Sequence, residues 1–186
     1  EIPLRLVGSE MCIRDSIESM PLAAPTEVRN NGSGSLYAVV SQSYPPGKGE
    51  ETEAASGIRI DVRYTNMDGA AIDPASIRVS TDFYAIVTVS NKSGYERYAD
   101  LALTHIFPAG WEITSERDLS SLTYQDIRDD RVLSYFDLSR GESKEIPVKL
   151  TATYKGRYYL PSVYCEAMYD NSVRALKKGQ WVEVVD

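Results

Sequence analysis

The chain has 186 residues, of which 42% are hydrophobic, enough for one globular domain or for one domain with part of a neighbour. Its 20 basic and 27 acidic residues give a net charge of -7 without long runs of one sign, so nucleic acid is not expected as a partner. No apolar run approaches the roughly 20 residues of a membrane-spanning helix, and no signal-peptide pattern opens the chain. A targeting signal is therefore expected on a longer precursor.

The first residues do not resemble native protein sequence. Residues 6–16, LVGSEMCIRDS, match the translation of a transposase-type sequencing adaptor. We therefore treat residues 1–16 as a non-native segment and interpret the remainder as a piece of a longer protein. This exclusion removes Cys12 and leaves Cys165 without a partner, so no internal disulfide is expected.

Beyond the N-terminus, short runs with period-two alternation predict an all-β antiparallel sandwich. A leading strand is predicted within residues 17–46, followed by a polar linker over residues 47–56 and by the main domain over residues 57–186. Strands are predicted to begin near Leu36, Ile58, Asp82, Ala99, Arg131, Lys144, Tyr158 and Gln180.

Local signals refine this outline. Residues 67–69, Met-Asp-Gly, predict a hairpin tip, and residues 108–110, Pro-Ala-Gly, predict the end of a strand. Pro147 favours an edge strand or a bulge. The serine and acidic residues that begin residues 114–124 predict one short helical turn.

Charged residues concentrate in YQDIRDDRV, residues 124–132. The spacing lacks the glycine and distal glutamate of a calcium loop, and nothing defines the substrate cleft that acid–base chemistry requires. We favour a structural network that ties the loop to the sandwich. Its members are Asp126, Arg128, Asp129, Asp130 and Arg131, with Glu166 as a further partner.

The remaining reactive residue types are predicted to be structural. His105 alternates in phase with Leu101, Leu103 and Phe107, which predicts a hydrogen-bonded residue at the edge of the core. Cys165 alternates with Val163 and Ala167, which predicts a small buried residue whose thiol is inert beside Glu166. We therefore expect a noncatalytic domain without metal or cofactor.

Four segments in the second half resemble the C-terminal macroglobulin-like domain, MG10, of bacterial alpha-2-macroglobulins, in a form most similar to that of Bacteroidetes-type bacteria. The segments are PAGWEI from Pro108, YQDIRDDRVLSYFDL from Tyr124, YKGRYYLPSVYCEAMYD from Tyr154 and KGQWVEVV from Lys178. Residues 17–46 resemble the end of the CUB-like β domain that precedes this module. The resemblance implies a macroglobulin-like β-sandwich over residues 57–186.

The resemblance also implies a role in a protease trap, in which a host protease cuts a bait region and a thioester in another domain then acylates it. The thioester motif of that family is Cys-x-Glu-Gln, which Cys165-Glu166-Ala167-Met168 does not match. The chain is therefore expected to pack against the thioester and CUB-like domains and to shield the thioester. Met168 and Tyr169 match the positions expected to supply this cover.

The family further implies a periplasmic or cell-envelope location, with which a lipid anchor on the parent protein is compatible. The alternative function is a stand-alone adhesion or glycan-binding module that uses exposed tyrosines as stacking platforms. Neither function involves catalysis by this chain.

Overall fold

The computed structural model describes residues 31–34, 47–117 and 119–186. The chain divides into two compact units, Glu1–Ser43 and Tyr44–Asp186. The adaptor-like segment and the predicted leading strand near Leu36 lie outside the described residues.

The described residues contain thirteen strands and no helix, and hence no helix long and apolar enough to cross a membrane. The strands are β1 (Ala54–Ser56), β2 (Ile58–Asn66), β3 (Ser76–Arg78), β4 (Thr81–Asn91), β5 (Tyr98–Ile106), β6 (Trp111–Ile113), β7 (Tyr124–Ile127), β8 (Arg131–Leu138), β9 (Ser143–Ala152), β10 (Gly156–Leu160), β11 (Val163–Ala167), β12 (Asp170–Lys177) and β13 (Gln180–Val185).

These strands form three sheets. A six-stranded sheet has the order β1-β12-β11-β5-β8-β7, a four-stranded sheet β2-β4-β9-β6, and a three-stranded sheet β10-β13-β3. All pairings are antiparallel except that of β13 with β3. The predicted all-β antiparallel sandwich is confirmed.

The buried face of β4 shows how the sheets are layered. Phe83, Ala85, Val87 and Val89 alternate with less buried residues and point to one side. The first two pack with buried residues of the three-stranded sheet, such as Val182, and the last two pack with residues of the six-stranded sheet. The four-stranded sheet therefore forms one layer, and the other two sheets lie side by side against it.

The patterns of β4 and β9 follow their predicted alternation. In β9, Ile146, Val148, Leu150 and Ala152 are buried. β6 pairs only with Leu150 to Ala152, so Pro147 lies where β9 has a strand on one side, the edge position that proline favours. The turn at Met67–Gly69 is also a hairpin tip, closed by the Asn66 N–H to the Ala70 carbonyl at 2.8 Å.

Three expectations differ from the structure. The run beginning at Tyr158 was expected to be one strand, but it is divided at Pro161 into β10 and β11, which belong to different sheets. β1 lies within the segment predicted to be a linker and pairs with β12. The helical turn predicted for residues 114–124 is wrong for its described residues, which are irregular up to the start of β7.

Candidate functional site

Two exposed apolar side chains lie at the tip of the hairpin that joins β11 to β12. Ala167 pairs with Asp170, so Met168 and Tyr169 form a two-residue connection. Their side chains are 45% and 83% exposed. Neither side chain is part of the buried core, and both are available for contact with another surface.

The strand beneath this tip is held on both sides. β11 pairs with β12 along one edge and with β5 along the other. Val163, Cys165 and Ala167 point into the core that the six-stranded and four-stranded sheets share. The tip therefore projects from a strand in the interior of a sheet, and its base is fixed by ladder hydrogen bonds and by packing.

A second contact fixes the tip itself. The Met168 N–H donates to the Asp100 carbonyl at 3.0 Å. Asp100 lies at a bulge of β5, and its own N–H donates to Asp137 Oδ1 at 2.9 Å. Asp137 Oδ2 in turn accepts from Arg97 Nη2 at 2.5 Å. The sequence contains no signal for this group, because Asp100 and Asp137 lie on strands whose register the sequence does not reveal and Arg97 lies in the connection before β5.

The structure places Cys165 in the core, fully buried. Burial raises the pKa of its thiol to about 12, and the charge of Glu166 acts in the same direction. The thiolate that nucleophilic or metal chemistry requires is therefore scarce at neutral pH. The thiol can act only as a small apolar group.

The predicted charge network is divided into two exposed local pairs. Arg128 Nε lies 2.8 Å from Asp126 Oδ2, and Arg131 Nη2 lies 2.6 Å from Asp130 Oδ2. No ion pair of Asp129 is present among the described residues. Each pair lies within the β7–β8 hairpin, so neither ion pair joins this hairpin to another strand.

The turn between β7 and β8 is tied to the sandwich by backbone groups instead. The Phe107 N–H, just after β5, donates to the Asp130 carbonyl at 2.8 Å, whereas the bond from the Arg128 N–H to the Arg131 carbonyl at 2.9 Å closes the hairpin itself. Glu166 lies on β11, where it accepts a hydrogen bond from the Tyr164 hydroxyl at 2.6 Å. Within the described part of the chain it forms no ion pair with Arg128 or Arg131.

His105 is buried as predicted, but the expected hydrogen bond is absent. Neither ring nitrogen has a partner among the described residues, and the ring packs against that of Phe107 with centroids 4.1 Å apart and planes inclined at 43°. Burial lowers the pKa of His105 to about 3, so the ring is neutral at physiological pH. The described residues contain no group of His, Cys, Asp and Glu side chains placed to hold a metal.

Two of the sequence segments that carried the resemblance meet in space. A Cβ placed on Gly110 would lie 2.4 Å from the Tyr158 ring, and one on Gly156, whose φ is +146°, would lie 3.0 Å from the Tyr158 hydroxyl. The Gly110 carbonyl also accepts from the N–H groups of Thr153 and Tyr154. The Tyr158 ring therefore occupies the space that a side chain at Gly110 or Gly156 would need.

Sequence comparison relates this chain to bacterial alpha-2-macroglobulins. A sequence model described as "Bacterial Alpha-2-macroglobulin MG10 domain" matches residues 57–171, more than half of the chain. Curated relatives include the alpha-2-macroglobulin of Pasteurella multocida, 27% identical over 160 residues, and the alpha-2-macroglobulin homolog of Yersinia pestis, 25% identical over 187 residues. These alignments cover 82% and 85% of the chain but only 8% and 9% of the relatives.

Solved structures show the same fold. A crystal structure of Salmonella alpha-2-macroglobulin mutant Y1175G aligns with a TM-score of 0.69 at 20% identity, covering 77% of this chain and 10% of that one. Native Escherichia coli alpha-2-macroglobulin, in a crystal structure from domain MG7 to the C-terminus, aligns with a TM-score of 0.65 at 18% identity, over 73% of this chain and 24% of that one. The chain belongs to the family of bacterial alpha-2-macroglobulin MG10 domains.

Proposed function

We propose that this chain is a noncatalytic domain of an alpha-2-macroglobulin-like protease inhibitor and that its Met168–Tyr169 tip shields the thioester of a neighbouring domain until the bait region is cut. The observation that carries the proposal is the exposure of these two side chains on a hairpin whose base is rigid. Family membership favours this function over a stand-alone adhesion module.

The proposed role follows from thioester chemistry. A thioester is consumed when water or an amine attacks its carbonyl carbon and the thiolate leaves, so its lifetime depends on keeping nucleophiles away. A phenol ring and a thioether chain can cover a carbonyl without offering a nucleophile of their own at neutral pH. Cys165 does not match the thioester cysteine, because residues 165–168 read Cys-Glu-Ala-Met and lack the glutamine of the Cys-x-Glu-Gln motif.

The partners of this function are other parts of a longer chain. The chain spans less than a tenth of the two curated relatives described above, so the thioester and CUB-like domains of the same parent are the proposed neighbours. Host proteases are proposed to meet the parent through its bait region. We place the parent in the periplasm or the cell envelope.

The test is the reaction of the full-length parent with methylamine before any bait cleavage. The amine nitrogen attacks the thioester carbonyl, an amide forms, and the free thiol can be measured by a colorimetric thiol assay. Tyr169→Ala and Met168→Ala should each accelerate thiol release several-fold, because a nucleophile then reaches the carbonyl more easily.

Matched controls exist at the opposite end of the sandwich. Tyr154 is 57% exposed and follows β9, and its N–H donates to the Gly110 carbonyl beyond the far end of β5. Met67 is 48% exposed and follows the end of β2 that pairs with Phe83. Tyr154→Ala and Met67→Ala should leave thiol release at the wild-type rate. An unchanged rate in a folded Tyr169→Ala parent, or equal acceleration in the controls, would reject the shielding role.

A further inference from the structure

The Met168–Tyr169 tip lies above a short chain of polar contacts that reaches from β8 to the turn. Three hydrogen bonds follow one another: Arg97 to the Asp137 carboxylate, the Asp100 N–H to the same carboxylate, and the Met168 N–H to the Asp100 carbonyl. The first bond joins the connection before β5 to β8, the second joins β5 to β8, and the third joins the β11–β12 turn to β5. The position of the tip is therefore coupled to a carboxylate on β8.

The middle link is a residue in an unusual backbone conformation. Asp100 has a φ of +53°, in the left-handed region that few residues other than glycine adopt and that aspartate and asparagine enter more often than the rest. It lies where the register of β5 against β8 shifts between Tyr98 and Leu101. Such a conformation persists only where its surroundings hold it, and here the Asp137 carboxylate holds the Asp100 N–H.

The bulge is joined directly to the tip. The Asp100 carbonyl accepts the Met168 N–H one residue beyond the last β11–β5 pair, Ala167 with Leu101, whereas the Asp100 N–H is directed to Asp137 on β8. The two halves of the Asp137 carboxylate have separate roles, since Oδ1 accepts from Asp100 and Oδ2 accepts from Arg97. The arginine therefore orients the carboxylate that in turn orients the bulge.

We propose that Arg97, Asp137 and Asp100 are positioning residues that hold the Met168–Tyr169 tip in the orientation that covers a thioester. We call these three residues the clamp. Its purpose rests on the proposed function, whereas its hydrogen bonds are a property of this chain. Preorganising an exposed turn before it meets its partner lowers the ordering cost at the interface, which is the advantage such a clamp confers.

The clamp is tested first in this chain, by amide hydrogen exchange resolved by residue in NMR spectra. Asp137→Ala should increase the exchange rates of the Asp100 and Met168 amides by about tenfold or more, whereas Cys165 inside β11 should keep its rate. Asp137→Asn retains an oxygen that can accept from Asp100 and should restore most of the protection. Unchanged exchange at Met168 in Asp137→Ala would overturn the proposal.

A matched control is Asp82→Ala. Asp82 is also an exposed aspartate that joins two strands, accepting from the Thr151 hydroxyl at 2.7 Å and pairing with Lys149 at 3.5 Å, but it has no contact with the tip. This variant should leave the Met168 exchange rate unchanged. Faster Met168 exchange in Asp82→Ala would show a general loosening of the sandwich and would overturn the specific role of Asp137.

The second measurement is methylamine consumption in the full-length parent. Asp137→Ala should accelerate thiol release, though less than Tyr169→Ala, and Asp137→Asn should lie close to the wild type. Acceleration by Tyr169→Ala without any by Asp137→Ala would overturn positioning while leaving shielding intact. If neither variant accelerates release, shielding fails, and the exchange measurement still decides whether the clamp exists.

Discussion

At the scale of single residues, Cys165 and His105 show how burial changes chemistry. Both belong to residue types that often serve as nucleophiles or ligands, and both lie on core faces of adjacent strands. Their inward direction could be predicted from period-two alternation. That His105 has no hydrogen-bond partner among the described residues could not be predicted, because hydrogen bonding depends on which groups from other strands come within reach.

We expect the Cys165 thiol to be unreactive in the folded chain. In a chain whose Cys12 is replaced by serine, a thiol reagent should modify Cys165 at neutral pH only as fast as the protein unfolds, because the thiol is fully buried and its pKa is raised. Modification should become fast in urea. Stoichiometric labelling within seconds under native conditions would contradict this expectation.

His105 should make folding stability depend on pH. The folded-state pKa is lowered to about 3 from 6.5, so below pH 6.5 the unfolded chain binds a proton that the folded chain does not. The contribution of neutral His105 is complete above pH 6.5 and is lost as the pH falls toward 3. Between pH 7 and 5 the loss should be about 1 to 2 kcal/mol, measured by urea unfolding.

The control for this prediction is His105→Leu. The chain has one histidine, so the variant should retain the pH dependence of its carboxylates and lose only the component between pH 7 and 5. The variant should be no less stable at pH 7, because it removes from the core two ring nitrogens that have no partner in the described part of the chain. Equal pH dependence in the two proteins would show that His105 is hydrated or protonated when folded.

At the scale of elements, the connection from β9 to β10 is shaped by Tyr158. Its ring occupies the space beside Gly110, where a Cβ would lie 2.4 Å from a ring carbon, and its hydroxyl donates to the Lys155 carbonyl at 3.0 Å. No φ in the left-handed region is involved at Gly110. The requirement for glycine there is one of space alone.

Gly110→Ala should therefore destabilise the sandwich by about 1 to 3 kcal/mol, because the ring or the turn must move. The measurement is a urea denaturation curve. Gly94→Ala is the matched control, since a Cβ at Gly94 has no neighbour within 4 Å, and it should change stability by less than about 1 kcal/mol. Combining Gly110→Ala with Tyr158→Leu should cost less than the sum of the two changes; strict additivity would contradict the proposed clash.

Some elements could be predicted from the sequence and others could not. β4 and β9 are long enough for alternation to be clear. β3 and β6 have three residues each, too few for a period-two pattern. β12 begins with Asp170, Asn171 and Ser172, residue types that favour turns, so its sequence indicates a connection rather than a strand.

The division at Pro161 was missed for a related reason. A run of aromatic residues that continues on both sides of one proline is typical of a single strand with a bulge. Only the pairing partners show that the run forms two strands. β10 pairs with β13, whereas β11 pairs with β5 and β12. Partner choice is a long-range property, and the same limit applies to the Arg97–Asp137 contact beneath the tip.

At the scale of the whole molecule, the segment before β2 is part of the folded unit rather than a free connection. β1 extends the six-stranded sheet, Lys177 Nζ lies 2.8 Å from Glu53 Oε1, and the Gly49 N–H donates to the Tyr159 hydroxyl at 2.9 Å. The Tyr159 hydroxyl also donates to Glu51. These contacts begin upstream of residue 57, where the match to the family begins.

A chain of residues 47–186 should accordingly be more stable than a chain of residues 57–186. The shorter chain lacks β1 and the contacts to Tyr159 and Lys177, and we expect a loss of about 1 to 3 kcal/mol. Thermal unfolding followed by circular dichroism measures the difference. Tyr159→Phe in the longer chain should reproduce part of the loss and should have little effect in the shorter one. Equal Tm values for the two truncated chains would mean that residues 47–56 contribute nothing.

The position of β13 constrains when this sandwich can form. β13 lies between β10 and β3, and it contributes Val182 and Val184 to the core together with Ile77, about a hundred residues earlier in the chain. During synthesis on a ribosome, β3 emerges long before its partner exists, and the three-stranded sheet stays unformed until residues 180–185 have left the exit tunnel. Completion of the sandwich therefore waits for the synthesis of β13, the last of its described strands.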